Sequence, residues 1–374
     1  MKITPFKLER YFARYEFSAP YLLSCSDCEP LTMEELLSLS DQETSTLWKQ
    51  LSLGYTEAQG HPLLREEISK FYASIKANEV LVLTPQEGIF IAMNVLLEPG
   101  DHVVSTFPGY QSLYDVARAI GCDVSRWGPK IRDNSWKFDP KDLEAAIKEN
   151  TKLIVINFPH NPTGALLNRS DYEATINIAR ERDIVLFSDE MYRFLEFNEK
   201  DGLDSASDLY ENAISLFGMS KTFGLPGLRI GWLTTKNREI FNQLASFKDY
   251  TTICNSAPSE ILALVALRAK DKIVAKNMEI ISRNLGILDD FFKRFSHVFE
   301  WIKPQAGSIA FPKLMLEEGS DAFCSDLVDK QGVMLLPSTV YDYHDNHVRF
   351  GFGRKNMPDV IRQLELYLQN KNLV

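Results

Sequence analysis

The chain has 374 residues, of which 45% are hydrophobic and 25% are charged. At roughly 100–200 residues per domain, this length predicts about two domains with cores large enough to need no disulfide or metal staple. The formal net charge of −10 argues against binding to nucleic acid or to an anionic membrane surface. No stretch approaches the ~20 apolar residues of a membrane span. With no signal-peptide pattern and an odd count of five cysteines, the sequence favours a reducing, cytoplasmic location.

From about residue 79, short β-branched runs alternate with helical periods, which is typical of βα units around a mostly parallel sheet. The predicted strands span 80–84, 102–106, 152–158, 184–188, 213–217 and 229–235. The predicted helices between them span 86–97, 110–120 and 171–182. We therefore expect an α/β fold in which helices flank a mostly parallel sheet.

After residue 255 the pattern changes to one typical of a smaller α+β domain. Its predicted elements are helices at 256–269, 272–295 and 357–369 and short strands at 308–311, 333–336 and 348–352. The first 40 residues show no clear period. The expected division is an N-terminal arm that joins the small domain (1–40), a large domain (41–283) and a small C-terminal domain (284–374).

Residues with chemical potential follow the predicted strands, and ligands of open α/β sheets bind beyond the carboxyl ends of the strands. In chain order these residues are Pro85, Gln86, Glu87, Tyr110, Asn161, Asp189, Tyr192, Ser220 and Lys221. One edge of the sheet should therefore collect the start of a helix, an aromatic ring, an amide, a carboxylate, a phenol and a lysine.

This set suits pyridoxal 5'-phosphate, a phosphorylated aromatic aldehyde. A helix N-terminus can hold the phosphate, and an aromatic side chain can stack on the ring. A carboxylate beside the ring nitrogen favours its protonated form, and a lysine can form a Schiff base with the aldehyde. The protonated ring then serves as the electron sink.

Three segments carry a family resemblance: Asn-Pro-Thr-Gly at 161–164, Ser-Asp-Glu-Met-Tyr at 188–192, and the run from Ser220-Lys221 to Gly231-Trp232. Their order and spacing, from Tyr55 to Arg349, resemble class I/II (fold-type I) pyridoxal-phosphate-dependent aminotransferases. The resemblance implies an enzyme that moves an amino group from an α-amino acid to a 2-oxo acid.

The resemblance also implies roles for individual residues. It makes Lys221 the Schiff-base lysine and proton shuttle, Asp189 the partner of the pyridinium nitrogen, and Tyr110 the stacking ring. Other implied contacts are the ring 3'-oxygen with Asn161 and Tyr192, and the phosphate with Pro85, Gln86, Glu87, Ser220 and Arg229. Arg349 is implied to clamp the substrate α-carboxylate, and Asn161 is counted as a further substrate contact. Tyr55 is implied to reach the phosphate of a partner subunit, which predicts a homodimer with shared active sites.

Two features depart from the family pattern. Gly218 occupies a position, three residues before the lysine, where many members carry a hydroxyl. The segment 24–30, Ser-Cys-Ser-Asp-Cys-Glu-Pro, stands where a Gly-Glu/Asp-Pro turn usually covers the substrate. We count Ser26 of this segment as a candidate substrate contact and expect side-chain selection to involve the arm.

Several alternatives remain open at the level of sequence. The same cofactor and fold serve lyases and amino-acid cyclases or synthases, and a remote alternative is a non-catalytic amino-acid-binding regulator. Cys25 and Cys28 could form a redox or metal motif, but no second Cys or His pair completes a zinc site, so we predict no metal. His344 and His347 are spaced like ligands but fall in a predicted loop.

Overall fold

The computed structural model describes residues 2–373 of the chain. Before the central sheet it contains four helices and one short strand, namely α1 (Lys7–Tyr15), β1 (Tyr21–Leu22), α2 (Met33–Leu37), α3 (Gln42–Lys49) and α4 (Pro62–Ser69). The sequence pattern predicted none of these elements. The helices are short, and α1 owes its stability to tertiary packing of one apolar face, with Leu8 and Tyr15 buried.

A seven-stranded sheet forms the centre of the fold. In chain order its strands are β2 (Val80–Leu83), β3 (His102–Thr106), β4 (Asp123–Trp127), β7 (Thr151–Asn157), β8 (Val185–Asp189), β9 (Ala213–Gly218) and β10 (Gly231–Thr234). A small hairpin, β5 (Lys130–Arg132) and β6 (Ser135–Lys137), leaves the sheet after β4. The spatial order is β2-β10-β9-β8-β7-β3-β4, and only β10 runs antiparallel to its neighbours. The predicted α/β class is confirmed.

Helices cover both faces of the sheet. They are α5 (Pro85–Leu96), α6 (Ser112–Ile120), α7 (Pro140–Ala146), α8 (Arg169–Glu181), α9 (Ala206–Leu209), α10 (Arg238–Lys248) and α11 (Ala257–Arg268). Along β2, Leu81 and Leu83 face a core shared with α5, whereas Val80 and Val82 face a core shared with α11. Because β-branched and leucine side chains are buried on both faces, the strands appear in the sequence as continuous apolar runs.

The remaining elements belong to the C-terminal region. They are α12 (Lys270–Arg294), β11 (Phe299–Glu300), β12 (Ile309–Ala310), β13 (Lys313–Leu314), α13 (Gly319–Gln331), β14 (Val333–Met334), β15 (Leu336–Pro337), β16 (Val348–Gly351) and α14 (Met357–Asn370). Strand β1 pairs with β14 in parallel, so the N-terminal segment is tied to this region. The division at 1–40, 41–283 and 284–374 stays a prediction. Within residues 2–373, no helix combines the length and apolar character needed to span a bilayer.

Candidate active site

A cavity of about 460 Å³ opens at the carboxyl ends of the parallel strands. Its walls include all predicted site residues except Tyr55 and Glu87: Ser26, Pro85, Gln86, Tyr110, Asn161, Asp189, Tyr192, Ser220, Lys221, Arg229 and Arg349. These residues lie up to 323 positions apart in the sequence, from 26 to 349. The fold therefore brings the predicted chemistry to one place.

The start of helix α5 forms one wall of the cavity. Thr84 is the N-cap and Pro85 the first helical residue, where its missing N–H costs nothing. The Thr84 hydroxyl donates a hydrogen bond of 2.9 Å to the backbone oxygen of Arg229, which brings that arginine beside the helix start. A helix N-terminus next to an arginine is suited to an anion such as phosphate.

Glu87 belongs to the same helix turn, but its carboxylate is used elsewhere. It accepts hydrogen bonds from the hydroxyl of Thr252, at 2.8 Å, from that of Thr251, and from the backbone N–H of Thr84, at 3.3 Å. Its side chain therefore fixes the helix start and a neighbouring loop. Only the backbone of Glu87 is therefore available to bind a ligand.

Position 218, where the resemblance leads us to expect a hydroxyl residue, has little room for a side chain in this chain. A Cβ atom on Gly218 would lie 2.9 Å from the Cα of Gly231 and 3.0 Å from Cγ of Pro85. Gly218 and Gly231 are paired across β9 and β10, and Pro85 fills the space above them. Ser220, which lines the cavity, is the nearby hydroxyl that remains available.

Asp189 ends strand β8 and faces the cavity from a buried position. Its Oδ1 accepts a hydrogen bond of 3.1 Å from the backbone N–H of Met191. Burial is the main reason why its pKa is raised to about 7, since the low-dielectric surroundings penalise the carboxylate. A ring cation placed beside it would favour the carboxylate form again.

Asn157 also lines the cavity and was not predicted from the sequence. It ends β7, directly opposite Asp189 in the register of the sheet. Its Nδ2 donates to the backbone oxygen of Asp189 at 3.0 Å, and its Oδ1 accepts from the backbone N–H of Asn161 at 2.8 Å. Asn157 thereby fixes the backbone of Asp189 and of Asn161. A polar residue closing a buried apolar strand was the signal that could have indicated it.

Lys221 lies at the centre of the cavity. Its Nζ donates a hydrogen bond of 2.8 Å to Oγ of Ser26. Burial lowers the pKa of the lysine, and the nearby Asp27 carboxylate partly opposes this effect. A lysine with a lowered pKa has more of the neutral amine that acts as a nucleophile.

Arg349, on β16, is a buried cation with an incomplete set of partners. Its Nη1 donates to the hydroxyl of Tyr341 at 2.6 Å and its Nη2 to the backbone oxygen of Ser24 at 2.6 Å. Its Nε has no hydrogen-bond partner among the described residues, and neither does the buried hydroxyl of Tyr192. A buried guanidinium bound only to neutral groups is costly, so this end of the cavity is suited to an incoming carboxylate.

The segment 24–30 packs against glycines that allow its close approach. A Cβ on Gly351 would lie 1.8 Å from the backbone oxygen of Cys25, and one on Gly353 would lie 2.4 Å from that of Asp27. Asp27 also forms a two-pronged ion pair with Arg354, whose Nη2 lies 2.9 Å from each carboxylate oxygen. The unusual segment is therefore a fixed part of the cavity wall.

The two cysteines of this segment are buried free thiols. Burial raises the pKa of Cys25 to about 11 and that of Cys28 further, which disfavours the reactive thiolate. His347 is packed against Phe311 with ring centroids 5.0 Å apart. Within residues 2–373, no group of three or more His, Cys, Asp or Glu side chains is arranged to hold a metal ion.

Helix α1 supplies a wall that sequence reasoning missed. Leu8, Glu9, Phe12 and Glu16, the residue after the helix, line the cavity. The hydroxyl of Tyr110 donates a hydrogen bond of 3.3 Å to Glu9. The helical spacing of Leu8, Phe12 and Tyr15 was a usable signal, although short.

Tyr55 does not line the cavity of its own chain. It is 91% exposed, and Leu53 at 84% and Tyr250 at 91% are exposed apolar side chains as well. The two segments are joined by Lys248, whose Nζ donates to the backbone oxygens of Ala58 at 2.7 Å and Ile253 at 2.8 Å. An exposed apolar face of this kind is typical of an interaction surface.

The sequence matches the family model described as aminotransferase class I and II over residues 31–363. The chain belongs to the class I and II aminotransferase family. Members of this family are fold-type I enzymes that depend on pyridoxal phosphate, as the resemblance implied.

Individual relatives differ in the activities that their names state. The crystal structure of a PLP-dependent aminotransferase from Streptococcus suis has a TM-score of 0.92 and 31% identity, covering 99% of both chains. Capreomycidine synthase of Streptomyces vinaceus is 29% identical over 71% of this chain and 68% of its own length. Aspartate aminotransferase of Sulfurisphaera tokodaii is 26% identical over 83% of this chain and 80% of its own. The family is thus shown, while the relatives include both transfer enzymes and a synthase.

Proposed function

We propose that this protein is a pyridoxal-phosphate-dependent aminotransferase that moves an amino group from an α-amino acid to a 2-oxo acid. The observation that carries the proposal is the convergence of Lys221, Asp189 and Arg349 on one cavity beside the start of α5. Two buried polar atoms there, Nε of Arg349 and the hydroxyl of Tyr192, have no partner among the described residues. Such atoms fit a polar ligand with a carboxylate and an aromatic hydroxyl.

The residues present suit each part of the cofactor. Arg229, Ser220 and the first N–H groups of α5 would hold the phosphate, and Tyr110 would stack on the ring. Asn161 and Tyr192 would contact the ring oxygen, and Asp189 the ring nitrogen. When bound, pyridoxal phosphate supplies an aldehyde that condenses with amines and a ring that withdraws electrons.

The chain's own groups then have defined tasks. Arg349 binds the α-carboxylate of the amino acid, and Asn161 and Tyr341 orient that arginine, with Tyr341 donating to Oδ1 of Asn161 at 3.4 Å. Nζ of Lys221 removes the proton from Cα, aided by a lowered pKa. The walls formed by α1 and by residues 25–27 would restrict the access of water to the reacting carbon.

We further propose a homodimer with shared sites, in which the exposed Tyr55 serves the phosphate of the partner subunit. The exposed apolar side chains at Leu53, Tyr55 and Tyr250 support this assignment. The predicted cytoplasmic location is kept as part of the proposal, and the five free cysteines agree with a reducing compartment.

A lyase, cyclase or synthase reaction with the same cofactor is the second candidate. It is favoured by the similarity to capreomycidine synthase and by the Ser26–Lys221 hydrogen bond of 2.8 Å, which places an additional hydroxyl at the reacting lysine. A regulator without catalysis is disfavoured, because Lys221 and all its proposed partners are present.

Two measurements test the proposal. The purified protein should be yellow, and borohydride should fix the cofactor on Lys221, as read by peptide mapping. A label on another lysine, or none, would contradict the cofactor assignment. In a half-reaction with one amino acid, the amino form of the cofactor should accumulate; its absence, with release of a cyclised or eliminated product, would favour the second candidate.

A further inference from the structure

Eight charged side chains line the cavity, and six of them have a partner, either in the proposed ligands or in each other. The cations are Lys221, Arg229, Arg349 and Arg354, and the carboxylates are Glu9, Glu16, Asp27 and Asp189. Under that function, Lys221 serves the cofactor aldehyde and the amino group, and Arg229 binds the phosphate. Asp189 contacts the ring nitrogen, and Arg349 binds the α-carboxylate. Asp27 and Arg354 neutralise each other in their two-pronged ion pair.

Glu9 and Glu16 are left over. The ion pairs formed among residues 2–373 include Asp27 with Arg354 but neither of these two carboxylates. Within residues 2–373, the exposed side chain of Glu9 accepts a hydrogen bond only from the neutral hydroxyl of Tyr110, at 3.3 Å. The pKa of Glu16 is raised, first by burial and then by the carboxylates of Asp27 and Glu9. In the described part of the chain, Arg354 and Lys221 oppose this rise without forming a salt bridge to Glu16, so this wall offers two carboxylates to a cationic ligand.

The position of this charge follows from the anchoring of the substrate. Lys221 fixes the reacting Cα, and the unsatisfied Nε of the buried Arg349 marks the place of the carboxylate. Cα carries two further substituents, the proton that Lys221 removes and the side chain, which is left to extend toward the rest of the wall. Part of that wall is formed by Glu9 and Phe12 of α1, by Glu16, which follows the helix, and by residues 25–27.

We propose that the enzyme selects an α-amino acid whose side chain ends in a cation, an ammonium or a guanidinium, and that Glu16 together with Glu9 recognises it. This inference rests on the proposed function and names its substrate class. Phe12 offers its ring beside the apolar stem of such a side chain. A dicarboxylic amino acid is disfavoured, because Arg349 is assigned to the α-carboxylate and Arg354 is already bound to Asp27.

The test measures affinity by calorimetry on the holoenzyme, with pairs of amino acids that differ in charge at similar length. Arginine is compared with citrulline, ornithine with glutamine, and glutamate is included as an anion. In at least one pair the cation should bind about tenfold more tightly, as for a hydrogen bond to a charged group. Equal or tighter binding of the neutral member in both pairs, or tightest binding of glutamate, would overturn the proposal.

A matched pair of variants assigns the effect to the cavity. Glu16→Gln removes one charge with little change in shape, and it should bring the ratio of cation to neutral affinity close to one. Glu173→Gln removes an exposed charge on α8, outside the cavity, and should keep the wild-type ratio. If Glu16→Gln keeps the wild-type ratio, Glu16 does not recognise the side chain and the proposal fails.

Absorbance recorded in parallel separates this inference from the proposed function. If calorimetry shows the charge preference but the cofactor spectrum does not change, the preference for a cationic side chain is supported and the proposed reaction is contradicted. If every amino acid changes the spectrum but none is preferred by charge, the proposed reaction is supported and the preference for a cationic side chain is contradicted. Binding of none of the amino acids would overturn both.

Discussion

Asp189→Asn should remove a large dependence of folding stability on pH in the cofactor-free protein. Burial raises the pKa of Asp189 from an ordinary 3.8 to about 7. The native state therefore binds more protons than the unfolded state between these pH values. Because unfolding then releases protons, this group's contribution falls as pH rises from about 4 to about 7.

The magnitude follows from the difference between the two pKa values. Each pH unit that separates them corresponds to about 1.4 kcal/mol, so ionised Asp189 destabilises the cofactor-free protein at pH 8 by at most about 4 kcal/mol. Asparagine is neutral at every pH and can still accept the Met191 N–H through its amide oxygen. The variant should be the more stable protein at pH 8 and equal to the wild type near pH 4.

Urea unfolding at pH 4 and pH 8, with the cofactor stripped, measures this difference. Asp271→Asn, whose side chain is 95% exposed, is the matched control and should follow the wild type. The loaded Asp189→Asn enzyme should also lose at least about a hundredfold in turnover, because no carboxylate then favours a protonated ring. The same pH dependence in wild type and variant, or more than about a tenth of wild-type turnover, would refute the role of Asp189.

Three further predictions concern other parts of the site. Tyr341→Phe removes a hydrogen bond to the guanidinium of Arg349 and should raise the substrate KM about ten- to a hundredfold with a smaller change in kcat; an unchanged KM would contradict it. Gly218→Ser should lower the free energy of unfolding by about 1–3 kcal/mol, measured by urea unfolding, since the new Cβ meets Gly231; Ser220→Gly, which adds no atom, is the comparison. Mixing Tyr55→Phe with Arg229→Ala subunits should restore activity in heterodimers, because one site then carries neither lesion; verified heterodimers without recovery would exclude shared sites.

The sequence predicted the central sheet because its strands are buried on both faces. Strand β3 was predicted with both ends correct, β9 differs by one residue at its end, and β8 is shifted by one residue at both ends. Strand β4 was missed because its polar and exposed residues, Asp123 and Arg126 among them, break the apolar pattern. In this chain the apolar runs therefore revealed the strands that are covered on both faces.

The site was predicted where it follows the strand ends and missed where distant segments meet. Lys221 and Asp189 could be found because the ends of parallel strands share one edge. The Asp27–Arg354 ion pair joins residues 327 positions apart, and no local pattern indicates it. Glu9 and Glu16 reach the cavity only because α1 packs across it.

The segment that carries Ser26 is bonded to the strand that carries Arg349, and this has a consequence for specificity. The backbone N–H of Gly351 donates to the oxygen of Leu23 at 2.7 Å, and Arg349 itself donates to the oxygen of Ser24 at 2.6 Å. A side chain at position 351 would separate them, since its Cβ would lie 1.8 Å from the backbone oxygen of Cys25. The carboxylate anchor and this part of the side-chain wall therefore form one unit. Ser26 of this segment also accepts a hydrogen bond of 2.8 Å from Nζ of Lys221, so the carboxylate anchor, this part of the wall and the reacting lysine belong to one hydrogen-bonded arrangement.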